Sequence, residues 1–148
     1  MSSKNFSLPE NVVTKRDVRL AIRQIEKLIE DDEDISNLSE PAKSIASINS
    51  DIVDNKGINE IIKESRSFLK RAPLFDLILA DYPYDSFIQD VGAWFRENID
   101  SEALLDIRVR RTIGGGVILI SKNKIFDMSF RSRLLESRDK IPEVLKRV

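Results

Sequence analysis

The side chains that most often do chemistry near neutral pH are missing from this sequence. Its 148 residues include no histidine and no cysteine, which removes the usual proton shuttle, the imidazole and thiolate metal ligands, and the thiol nucleophile. Carboxylates and lysines remain. The densest acidic group, Glu30, Asp31, Asp32, Glu33 and Asp34, follows a helical apolar pattern and reads as a helix end running into a solvated loop. The other stretch that invites a chemical reading is Ile113-Gly114-Gly115-Gly116. A phosphate-cradling loop needs Lys-Ser/Thr after its last glycine and a helix behind it. Here the strand-forming run Val117-Ile118-Leu119-Ile120 follows instead, so the glycines are expected to serve a tight, positive-φ turn or bulge between strands. The expectation is a protein that is not an enzyme and takes no cofactor or metal.

Composition sets the frame that must position these residues. With 41% hydrophobic and 33% charged residues, the chain is globular rather than disordered, and its length allows one ordinary unit or two small ones. Absence of cysteine fits a reducing compartment. The longest apolar runs, Leu77 to Ala80 and Gly114 to Ile120, fall far below the roughly 20 residues that span a bilayer. Met1 to Phe6 lacks the pattern of a signal or transit peptide. A bacterial cytoplasmic setting is expected. Net charge is −1, yet residues 108–148 carry +7 and residues 1–107 carry −8, so the two ends present different electrostatic surfaces.

Thr14-Lys15-Arg16-Asp17 has the form of a capping box and precedes Val18, Ala21, Ile22, Ile25, Leu28 and Ile29 at helical spacing. A second helix is expected from Ser39 through Ala42, Ile45, Ile48 and Ile52 to a Gly57 cap, and a third through Ile58, Ile61, Ile62, Ser65, Phe68 and Leu69, ended by Pro73. From Leu74 the pattern changes. Leu74 to Ala80 reads as a strand, and Phe87, Ile88, Val91, Trp94, Phe95 and Ile99 as a helix with Trp94 in its packed stripe and Gly92 allowing a close neighbour. Leu105, Ile107 and Val109 alternate with Asp106, Arg108 and Arg110 as a strand with one buried face. Val117–Ile120 and Lys124–Phe126 form a hairpin, with Asn123 able to take positive φ. Ser129 caps a last helix packed through Phe130, Leu134, Ile141 and Leu145. The fold class is α+β: a helical unit over 1–71, then a strand-helix-strand-strand-strand-helix unit over 72–148 whose helices cover one face of the sheet.

The ordered set Ile113-Gly114-Gly115, a strand hairpin, then Asp127-x-Ser129-x-Arg131-x-x-Leu134 resembles the C-terminal signature of the delta subunit of F-type ATP synthases, the oligomycin-sensitivity protein family of mitochondria. Met128 stands where the family usually has glycine, and the helical unit is shorter than the family's six-helix bundle. The resemblance covers the second half of the chain and implies a non-catalytic peripheral-stalk subunit linking the alpha/beta head to the b-subunit stalk, bound to the inner face of a bacterial membrane as part of a complex. It implies that the helical unit, through Ile45, Ile48 and Ile52, receives the N-terminal segment of an alpha subunit. The end of the b-subunit helix is expected on the C-terminal unit, at Leu135, Val144 and Val148, which fall outside the last helix's packed stripe. The alternative is a small nucleic-acid-binding module using Arg108, Arg110, Arg111, Lys122 and Lys124 on one sheet face, with Phe126 as the one nearby aromatic.

Overall fold

A computed structural model describes residues 5–32, 35–138 and 140. Four helices open the chain: α1 (Lys15–Asp31), α2 (Glu40–Ile48), α3 (Ser50–Lys56) and α4 (Ile58–Arg71), with a short 3-10 turn at Ile35–Asn37. The expected capping box starts α1: Thr14 Oγ1 accepts from the Asp17 amide at 3.1 Å, and Asp17 Oδ2 accepts from the Thr14 amide at 3.4 Å. The single helix expected from Ser39 to Gly57 is instead two. The break falls at Asn49, which is 3% exposed. Its carboxamide accepts from the Ser7 amide and donates to the Ser7 and Ile45 carbonyls, so a residue that would favour helix poorly is held by a partner 42 positions away.

The second half holds β1 (Leu74–Leu79), α5 (Asp85–Asn98), β2 (Leu104–Val109), a 3-10 turn at Arg111–Ile113, β3 (Gly116–Ser121), β4 (Lys124–Ser129) and α6 (Phe130–Ser137). The four strands form one sheet in the order β2-β1-β3-β4, with β1 and β2 parallel and the other pairs antiparallel. The fold is thus mixed helix and sheet, α+β. Positive φ in the hairpin falls on Lys122 (+52°).

Helix α5 lies against one face of β1 and β2, and the helices of the first half lie against the other. Phe75, Leu77 and Leu105 pack with Ile88 and Phe95 of α5, the Phe75 and Phe95 rings 4.7 Å apart. Leu104 belongs to the core of α1 to α4, and Leu74 packs against it. Residues 5–14 form a strap across these layers. Phe6 packs on Phe68 in the helical core, Val13 enters the α5–sheet core, and Thr14 bridges Leu105 along the outer edge of β2. Arg96 of α5 fastens the strap, donating to the carbonyls of Pro9 (3.1 Å), Glu10 (3.3 Å) and Val12, and to that of Ala103 (3.3 Å). Burial lowers the Arg96 pKa, and Glu10 opposes that shift. Gly92 admits the strap, because a β-carbon there would stand 1.8 Å from Val13 Cγ1.

Candidate functional site

The glycine turn and the start of α6 form one interlocked unit. Ile113 is buried with Ile78 and Ile118. Gly114, Gly115 and Gly116 follow at φ +74°, +148° and +75°, a run of positive values that side chains rarely adopt. Gly116 is the most demanding position: a β-carbon would meet the Met128 carbonyl oxygen at 2.3 Å and Ser129 Cα at 3.1 Å. Gly115 accepts from the Phe130 amide at 2.9 Å, tying the turn to the helix start.

Ser129 is 1% exposed. Its Oγ accepts from the Ser132 amide at 3.2 Å while its own amide donates to Asp127 Oδ1 at 2.9 Å, and the Ser132 hydroxyl donates to Asp127 Oδ2 at 2.6 Å. Hydrogen bonds from the Ser129 and Ser132 hydroxyls, then from the Ser129 amide, lower the Asp127 pKa, with Arg131 adding its charge. No ion-pair contact joins Asp127 to Arg131 among the described residues. Of the signature residues, Gly114 and Gly115 thus build the turn, and Asp127 and Ser129 the helix cap.

Packing around α6 departs from expectation. Phe130 (54%), Leu134 (45%) and Leu135 (57%) are all exposed, so among the described residues α6 has no buried stripe. Phe130 instead lies beside the glycine turn, its side chain next to Gly114 and Gly115. Leu135 is presented to solvent; Val144, Val148, Ile141 and Leu145 lie outside the described residues.

The larger apolar surface is elsewhere. Trp94, expected in the packed stripe, is 54% exposed, and Phe87 is 47% exposed. The buried stripe of α5 is Ile88, Gly92 and Phe95, and one flank, Gln89 and Arg96, grips the strap. At 100° per residue, Phe87, Val91 and Trp94 form the opposite flank, above Val117 and Leu119, with which Val91 shares a cluster. Leu119 pairs with Phe126 and Val117 with Met128, and cross-strand partners point to the same face. Phe126 (50% exposed) and Met128 (49%) thus extend that floor to the sheet edge. The result is an apolar trough, walled by α5 and floored by β3 and β4.

Of the residues expected at the other partner surface, Ile45 and Ile52 are buried in the helical core. Their side chains are taken up by the core of α1 to α4. Ile48 is 53% exposed and borders a shallow cleft with Pro9, Asn11, Lys43, Ser44 and Ser47. Of the cations considered for nucleic acid, Arg108 pairs with Asp76 at 3.2 Å and Asp106 at 3.5 Å, Lys122 lies in the β3–β4 turn and Lys124 opens β4, with β1 and β3 between β4 and β2. Sequence reasoning missed the strap and its clamps Asn49 and Arg96; Phe6, Leu8, Val12 and Val13 ahead of the Thr14 cap were the signal available.

No family model matches the chain, and no curated protein matches it. Among solved structures, a chain of the Toxoplasma gondii mitochondrial ATP synthase hexamer is similar at 14% identity. That match covers 84% of this chain and 69% of that one, with a TM-score of 0.39. A likeness of that size assigns neither a family nor a function.

Proposed function

We propose that this protein is a non-catalytic, delta-like adaptor of an F-type ATP synthase, holding the static alpha/beta head to the peripheral stalk at the inner face of a bacterial membrane. The observation that carries the reading is the Ile113-Gly114-Gly115 turn joined through the hairpin to Asp127-x-Ser129-x-Arg131-x-x-Leu134. Its members are interlocked: Gly115 accepts from the Phe130 amide, and Asp127 and Ser129 together cap α6.

The work assigned to the chain is mechanical. A stator resists rotation by being stiff and by holding two partners at once. Stiffness comes from the strap, which Arg96 and Asn49 sew to α5 and to the end of α2. The trough between α5 and the β3–β4 ribbon has the exposed apolar character of a helix-docking surface, and in this reading it receives the C-terminal helix of the b subunit. The cleft around Ile48 is the corresponding place for the alpha-subunit N-terminal segment, with Ile48 rather than Ile45 or Ile52 as its apolar contact. No helix among the described residues is long and apolar enough to cross a membrane, and in this proposal attachment is through the other subunits.

The test is co-purification of the tagged protein from native membranes. Alpha, beta and b subunits recovered together support the adaptor; recovery of none of them overturns it.

A further inference from the structure

The trough is polarised along its length. Register places Lys124 on the same face as Phe126 and Met128, and Lys122 sits in the adjoining turn. Neither lysine has an ion-pair partner among the described residues. Ile99, just past the C-terminal end of α5, lines a cleft with Lys122, Lys124, Asp100 and Asp76, which puts that helix end at the hairpin; Asp76 there is paired with Arg108. At the other end of the trough, Asp81 lines an apolar cleft of about 320 Å³ with Leu79, Tyr84, Phe87 and Gly116. Arg131 lies beside Asp127, which pairs with Ile118 on the opposite face. The trough thus runs from two unpaired lysines to an aspartate across an apolar floor.

A helix carries about half a positive charge at its N-terminus and half a negative charge at its C-terminus. Six strand residues span roughly 17–20 Å, or about 11–13 residues of helix. We infer that the trough takes an amphipathic helix lying parallel to α5, its acidic C-terminal turn at Lys122 and Lys124 and its N-terminal turn beside Asp81. This orientation rests on the reading of the trough as a helix-docking surface, and adds the direction and charge of its occupant.

Because the sequence has no cysteine, a single introduced thiol reports position. Two isomeric peptides of about 14 residues serve as probes, each with leucines at i, i+3, i+4 and i+7, and with glutamates in either the last or the first turn. The last-turn isomer is expected to bind about tenfold tighter, and K122E/K124E to reverse that preference. A cysteine at the peptide C-terminus is expected to form a disulfide with Asn123→Cys, and one at its N-terminus with Tyr84→Cys. The opposite cross-linking pattern, or equal binding of the isomers, overturns the proposal. So does unchanged affinity in Met128→Asp, shown folded by circular dichroism, since the helix would then lie elsewhere. These outcomes are separate from the adaptor reading, which fails only if membrane co-purification recovers none of the expected subunits.

Discussion

The two edges of the sheet are finished in different ways. Along β2, residues 5–14 continue the architecture outward: Thr14 bridges Leu105, Val13 accepts from the Leu105 amide at 3.0 Å, and Arg96 collects three carbonyls of the strap. Along β4 nothing in the described chain continues. Lys124 to Met128 are exposed, including Ile125 (68%), Phe126 and Met128, and the edge is blunted only by its charged residues and short length. One edge is closed by backbone and a half-buried cation; the other leaves apolar surface open. The closed edge favours rigidity, and the open one leaves an apolar strand face available.

The comparison breaks most sharply at the glycine turn, which holds the open edge in place. Gly116→Val is expected to cost about 4 kcal/mol, because positive φ and a backbone clash with Met128 act together. Gly115→Val, with only the Phe130 Cβ near, is expected to cost about 2 kcal/mol. Denaturant unfolding measures both; equal midpoints for the two variants would show that the clash at Gly116 is relieved without cost.

At the closed edge, Arg96→Met removes the donor for four carbonyls. It is expected to destabilise by about 3 kcal/mol and to speed hydrogen exchange of the Val12 and Leu105 amides more than that of β4 amides. Uniform acceleration would mean the strap is not a separate fastening. Gly92→Ala tests the same seam from below. The added methyl drives into Val13, at an expected cost of about 2 kcal/mol, and Val13→Ala in the same chain is expected to recover part of it.

The smallest effect concerns acid. The folded-state pKa of Asp127 is lowered, so its contribution is present above the unfolded carboxylate pKa and is lost as pH falls through the folded value. Wild type is therefore expected to lose stability relative to Asp127→Asn as pH falls from neutral to acid. Parallel pH profiles for the two proteins would remove Asp127 from the cap.

Local signals were legible in the sequence, and distant partners were not. Thr14 and Asp17 announce α1 because both ends of the capping box lie within one turn, and Ser129 announces α6 for the same reason. Asn49 gives no such notice, since its partner Ser7 is far away in sequence and the apolar spacing runs straight through it. Trp94 fits an apolar stripe by periodicity, yet the stripe that packs is set by Val13 pressing on Gly92, which turns Trp94 outward. The apolar trough was not legible, because Phe87 and Trp94 join Phe126 and Met128 only through strand order.

The strap also dictates an order of events during synthesis. Residues 9–13 leave the ribosome well before Arg96 and Leu105, their partners. At roughly 5–20 residues per second, they wait about 5–20 s before docking becomes possible. During that interval the helical core lacks Leu104, and Val12 and Val13 have no strand beside them. Closure is thus a long-range step whose loop entropy falls due late, and the strap that stiffens the finished molecule is among the last parts of it to fold.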